Sequence, residues 1–188
     1  MLDAELSRTA PLQVAPGACE PVTVRPLALT GRLSFRAKAK ALGNRQEVAG
    51  FSVAGQINSL RANGDRMSVR LGPDEWLLVC PESDLGAVIE AVATAMDEAF
   101  FSLVDVSHRN VGFTLEGADA AAAVNSGCPL DLHLSAFPVG MATRTILGKA
   151  EIVLARTADT AWRVECWRSF GAYVHAFLVD AARDFLPQ

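Results

Sequence analysis

The stretch SHRNVGFTLEGADAAAAVN (Ser107–Asn125) and the later VECWRSFGAYVHAFL (Val164–Leu178) decide the fold. Val111, Phe113 and Leu115 alternate with Gly112, Thr114 and Glu116, the period-two signature of a strand with one buried face. An alanine-rich run from Gly117 to Asn125 reads as a helix stopped near Gly127 and Pro129. Ala142–Leu147 and Ala150–Arg156 flank Gly148-Lys149, and a leading glycine suits a type II′ hairpin. Trp162, Val164 and Cys166 share one face of a further strand. Ser169 is placed to cap a final helix, in which Phe170, Tyr173, Val174, Phe177 and Leu178 make an apolar stripe.

The first half reads in a similar order. Arg32–Ala37 alternates like a strand with Leu33 and Phe35 on one face, and a weakly helical segment from Lys38 to Val48 is broken at Gly43-Asn44. Asn63-Gly64-Asp65 is a turn signal between strands near Gln56–Ala62 and Arg66–Leu71. After a second turn at Gly72-Pro73-Asp74 comes the short run Glu75–Cys80, with Trp76 as a core residue. Leu85, Val88, Ile89, Val92 and Met96 then recur at helical spacing behind Ser83 as N-cap, and Phe101–Val106 reads as a buried strand.

The expected architecture is α+β: two ferredoxin-like halves, about 31–106 and 107–188, within one domain. Antiparallel sheets carry packed helices, and residues 1–30 form an extended, loosely ordered arm with Pro11, Pro16 and Pro21. The likeness of the halves lies in element order, with no residue-level repeat recognised.

Composition bounds the function. Of 188 residues, 51% are apolar and 20% charged, the balance of a globular chain. The mean hydropathy of +0.23 has no apolar run of about 20 residues to account for it, so the surplus belongs to a core or a buried interface. A net charge of −4 argues against nonspecific binding to nucleic acid or anionic lipid. The amino terminus lacks the pattern of a signal peptide, so the expected location is cytoplasmic, with Cys19, Cys80, Cys128 and Cys166 reduced.

Few residues suggest chemistry. Ser107-His108-Arg109 follows Asp105, but neighbours on a strand point to opposite faces, so Ser107 and His108 could not easily pair as nucleophile and base. The cluster reads as a polar surface or an interface. Cys128, Asp131 and His133 share a loop without a fourth metal ligand, and read as a small buried thiol beside a surface histidine. His175 falls on the polar side of the last helix, as a solvated or packing residue. Asp74-Glu75 reads as a solvated turn pair without partners. Trp167 lies opposite Trp162, Val164 and Cys166; with Arg168 it is either an interface anchor or bulk covered by a helix. No catalytic, cofactor or metal residue is assigned.

Four strings in fixed order carry a resemblance: LGPDEWLLV (Leu71–Val79), DVSHRNVGFTLEGADAAAAVNSGCPLDL (Asp105–Leu132), FPVGMATRTILGKAEIVLAR (Phe137–Arg156) and VECWRSFGAYVHAFLVDAAR (Val164–Arg183). Together they resemble the gamma subunit of heterotetrameric sarcosine oxidase. That family is in turn similar to the folate-binding module of the glycine-cleavage aminomethyltransferase, through the D-x-S strand start and the G-x-D-A-A helix start. The resemblance implies a complex that oxidatively demethylates sarcosine to glycine, forms hydrogen peroxide and passes the one-carbon unit to tetrahydrofolate. It implies FAD, FMN, NAD and zinc in that complex, held by alpha, beta and delta subunits, and a gamma subunit that carries no cofactor. This sequence has no Gly-x-Gly-x-x-Gly loop and no cysteine cluster, and no equivalent of the aminomethyltransferase's folate-contacting aspartate is placed in it. Two other readings stay open: a folate-dependent one-carbon transferase or folate-binding module acting alone, and a stand-alone module for another small ligand.

Overall fold

Two antiparallel sheets, each carrying helices on its outer face, meet across a central layer in the computed structural model, which describes residues 17–19 and 22–185. In chain order the elements are β1 (Gly17–Cys19), β2 (Val22–Pro26), β3 (Thr30–Ala37), α1 (Ala39–Leu42), β4 (Glu47–Val48), β5 (Phe51–Ser52), β6 (Ser59–Asn63), β7 (Arg66–Arg70) and β8 (Glu75–Pro81). After a single 3-10 turn come α2 (Leu85–Met96), β9 (Phe101–Asp105), β10 (Asn110–Glu116), α3 (Ala120–Asn125), β11 (Ala142–Leu147), β12 (Ala150–Ala158) and β13 (Ala161–Trp167). A second 3-10 turn then leads into α4 (Gly171–Arg183).

The first sheet runs β6-β7-β8-β3-β9, and the second β1-β2-β10-β13-β12-β11. The expected two α+β halves with antiparallel sheets are therefore present. The first half keeps the element order of a ferredoxin-like unit with one strand added, and in the second half the closing strand is β2, which precedes the first half in the chain. The order β11-β12-β13-β10 copies β6-β7-β8-β3, and β2 occupies beside β10 the place that β9 takes beside β3. Within the expected arm, Gly17–Cys19 and Val22–Pro26 are strands of the second sheet. Val22 and Val24 are fully buried in the second sheet, while residues 1–16 of that arm lie outside the described residues.

Alternation along the strands builds three cores. Leu33, Phe35, Trp76 and Leu78 pack beneath Val88, Val92 and Met96 of α2. Phe113, Leu115, Trp162 and Val164 pack beneath Val174 and Leu178 of α4. The opposite strand faces supply Leu60, Val69, Leu77 and Val79 from one sheet and Ala142 and Ala155 from the other, which meet in the layer between them. Backbone bonds tie the halves where β6 meets β11, from Leu60 N–H to Gly140 C=O (2.7 Å) and from Ala142 N–H to Asn58 C=O (3.0 Å).

Two of the two-residue hairpins follow from glycine. Gly148 has φ +57° and Gly64 φ +56°, while Lys149 and Asp65 are not in the left-handed region, as a type II′ turn requires. The earlier turn is thus Gly64-Asp65, and Asn63 is the last strand residue, paired with Arg66.

A residue-level repeat does exist. Arg70 pairs across the ladder with Trp76, and Arg156 with Trp162. Each guanidinium lies over its indole, at 5.0 and 4.8 Å from the ring centroid. Arg70 also donates to the carbonyls of Gly72 and Pro73, and Arg156 to those of Leu132 and Phe137. Both indoles are fully buried against a phenylalanine, Phe35 in one half and Phe137 in the other. Truncating either tryptophan to alanine would cost on the order of 3–5 kcal/mol.

Four local expectations are corrected. Neither Ser83 nor Ser169 caps a helix: each lies in a 3-10 turn, and the N-cap residues Asp84 and Phe170 make no side-chain cap bond. β9 is an edge strand, so its apolar run is half exposed and Val104 is 52% accessible. The buried stripe of α4 runs through Gly171, Val174, His175, Leu178, Ala181 and Ala182, rotated from the expected one. Phe170 and Tyr173 consequently face outward.

Candidate functional site

The two halves meet along their central strands, and there the charged residues concentrate. Arg32 of β3 and Glu165 of β13 both point into the layer between the sheets, because Leu33 and Val164 beside them point the other way. Arg32 Nε donates to Glu165 Oε2 at 2.7 Å and Nη2 to Oε1 at 3.3 Å, with both side chains 3% accessible. Arg163 Nε reaches the same Oε1 at 2.9 Å. Burial pushes the Glu165 carboxyl up, but the charges of Arg163 and Arg32 outweigh it and hold the group below the usual carboxylate range.

Nearby, Glu75 is no solvated turn residue. It accepts a bidentate pair from Arg144 across the sheets, and Arg36 Nη2 donates to its Oε2 at 2.8 Å. The hydrogen bonding from Arg144 holds its carboxyl below the usual range against the upward push of burial. Both clusters border a narrow cleft whose free space is about 70 Å³. Small-molecule sites take roughly 300–1,000 Å³, so this cleft is filled by ion pairs rather than shaped for a ligand.

Ser107 departs from the surface reading. It is buried, and its hydroxyl accepts from the Arg32 N–H at 2.8 Å, joining the end of β9 to β3. Asp105 Oδ1 accepts from the Ser107 N–H at 2.8 Å, an anchoring role. His108 and Arg109 remain exposed. Cys128 is buried and His133 exposed, its Nδ1 at 2.8 Å from Ser135 Oγ. Among the described residues no group of three or more His, Cys, Asp or Glu could hold a metal ion. His175 is buried against Phe113, with ring centroids 5.7 Å apart, and burial pushes its pKa down. It is a packing residue. Burial also pushes the Cys166 thiol up to about 12.

Of the proposed anchors, the structure brings together Arg109 and Trp167. The Arg109 guanidinium lies 5.1 Å from the Trp167 ring centroid, and its carbonyl accepts from the Arg168 N–H at 2.7 Å. Trp167 is 42% accessible, and Phe170 stacks beside it at 6.4 Å. Helical spacing puts Phe170 on the apolar stripe of the last helix; the signal for its actual place is its spacing of three from Trp167, with whose ring it pairs. The result is an exposed surface of aromatic rings and arginines, the side chains that protein interfaces concentrate.

Comparison with known proteins places this geometry. The model of the sarcosine oxidase, gamma subunit family matches residues 37–184. The chain belongs to that family. It is 30% identical over 167 residues to the sarcosine oxidase subunit gamma of Corynebacterium sp. (strain U-96), covering 87% of this chain and 80% of the relative. The subunit gamma of Corynebacterium sp. (strain P-1) is 32% identical over 162 residues, covering 86% and 75%. A chain in the structure of heterotetrameric sarcosine oxidase from Corynebacterium sp. U-96, in complex with pyrrole 2-carboxylate, superposes with a TM-score of 0.80 at 29% identity, over 91% of this chain and 89% of that one. The glycine cleavage system aminomethyltransferase T of Bartonella henselae shares the fold: TM-score 0.64 at 12% identity, over 89% of this chain and 50% of that one. No helix among the described residues of this family member is long and apolar enough to cross a membrane.

Proposed function

We propose that the chain is a noncatalytic gamma subunit of a cytoplasmic heterotetrameric sarcosine oxidase, supporting oxidative demethylation of sarcosine to glycine by the assembled complex. The alpha, beta and delta subunits are its partners. They carry the FAD, FMN, NAD and zinc of the complex, and its one-carbon product passes to tetrahydrofolate. The observation that carries the noncatalytic reading is the central cleft: its polar groups are spent on each other, in the Arg144–Glu75 and Arg32–Glu165–Arg163 pairs, leaving about 70 Å³. At this cleft a transferase acting alone would need a carboxylate free to face a pterin and several times the space.

Docking falls to the surface of Arg109, Trp167, Arg168 and Phe170, with His108 at its border. A tryptophan held by an arginine face and a neighbouring ring is pre-ordered, so little side-chain entropy is lost when a partner covers it. Ser107, being buried, takes no part.

The test is purification through a tag on this chain, both from cells making the whole complex and from cells making the chain alone. The complex should elute with larger subunits and flavin absorbance, and should form peroxide when given sarcosine. The chain alone should be colourless and inactive. Folate-dependent or sarcosine turnover by the chain alone, or elution without partners, would overturn the proposal.

A further inference from the structure

The first sheet ends on an open edge whose counterpart in the second sheet is covered. β2 stands beside β10 as β9 stands beside β3, and β2 is in turn covered by β1, through the pairs Gly17–Val24, Ala18–Thr23 and Cys19–Val22. Beyond β9 no strand pairs among the described residues. The hydrogen-bonding groups of that edge can be assigned. Val106 N–H donates to Arg32 C=O at 2.8 Å, and alternation along an antiparallel ladder then turns the backbone groups of Phe101, Leu103 and Asp105 outward. An open edge of this kind is a template for another strand.

The surroundings specify what would fit. Phe100, just before β9, is 93% accessible, and Val104 is half exposed. A groove of about 660 Å³ begins at Phe100 and Phe101 and is lined by Arg36, Lys38 and Lys40, with Asp74 as its acidic residue. This is a cationic floor on a chain whose net charge is −4. Soluble proteins commonly guard an edge strand with charges on the strand itself or with a covering segment. Here the cations lie at one end, and β9 itself exposes Ser102 and Val104, with its one charge, Asp105, at the far end.

We infer that β9 is a docking edge, where an extended acidic segment of a partner subunit adds as a further strand. Its backbone bonds to Phe101, Leu103 and Asp105, an apolar side chain lies on Phe100, and carboxylates reach Lys38 and Lys40. Backbone pairing supplies the affinity and the groove supplies the register. The inference rests on the reading of the chain as a subunit and adds a second contact, separate from Trp167.

Hydrogen exchange on the assembled complex reads the edge directly. In wild type the outward amides of Phe101, Leu103 and Asp105 should exchange at least about tenfold more slowly than in a complex carrying Lys38→Glu and Lys40→Glu, which lose the acidic segment. Replacing Phe100 by a photoreactive benzoylphenylalanine then identifies the occupant. A crosslink to an acidic segment of another subunit supports the inference. Equal exchange in the two complexes, no crosslink, or a crosslink to a nonacidic partner segment, to residues 2–11 of this chain or to a second copy of it would each overturn it. If the complex does not form at all, the subunit reading fails instead, so the two failures are distinguishable.

Discussion

Arg32 and Glu165 lie far apart in the chain, yet their buried ion pair joins the two sheets at the middle of the molecule. Removing one partner leaves the other charge buried and uncompensated, a cost of about 3–5 kcal/mol. Glu165→Gln should therefore lower the unfolding free energy by that order, measured by urea denaturation. The double variant Arg32→Met/Glu165→Leu should recover part of it, because the fully buried Arg32 charge goes with its partner and only Arg163, 14% accessible, loses its carboxylate. Equal losses in the single and double variants would contradict this account.

Stability should fall in two stages on acidification. His175 has a native pKa below its ordinary value because of burial, so the unfolded chain takes up a proton first as pH drops through about 6.5. Glu75 and Glu165 are held below the usual range, so their contribution is complete above about 4.3 and is lost as pH falls through their native values. Melting temperature against pH should be flat near neutrality, sag below about 6.5 and drop below about 4.3. His175→Gln should remove the first stage and leave the second.

Two glycine substitutions should act in opposite directions. A Cβ at Gly112 would lie 2.7 Å from both Glu165 Oε1 and Leu27 Cδ1, and Glu165 is pinned by two arginines. Gly112→Ala should cost about 1–3 kcal/mol through overpacking. Gly86 lies in α2 with open space around it, so Gly86→Ala should stabilise by about 0.4–1 kcal/mol. Chemical denaturation of both variants decides the point.

Local patterning made the two halves, their hairpins and their helices legible, because period and turn chemistry act over a few residues. Long-range pairing was hidden. Glu75 looked solvated because its partners Arg36 and Arg144 are 39 and 69 residues away. Ser107 looked exposed because its contact is with the Arg32 backbone, 75 residues distant. β9 looked buried because apolar content does not tell an edge strand from a central one. The strand at Val22–Pro26 was masked by flanking prolines, although Val22 and Val24 alternate with Thr23 and Arg25. The duplication was legible at residue level after all: Arg-x5-Trp-x3-Cys-x2-Ser occurs at Arg70–Ser83 and again at Arg156–Ser169. It escapes a comparison of element order, since it becomes visible only when single positions are aligned. Within the candidate site, Trp167, Arg168 and Arg109 could be nominated from residue type, but the stacking that unites Arg109 with Trp167 spans two strands and needed the fold.

The account turns on docking through Trp167. The direct measurement is co-purification of the tagged Trp167→Ala/Arg168→Ala chain with the other subunits, alongside its own thermal unfolding. Trp167 is exposed and lies outside the three cores, so the variant should melt as wild type does while losing its partners, a weakening of at least about 2 kcal/mol for a central aromatic anchor. A variant that folds and still recovers the other subunits in wild-type proportion would contradict the account.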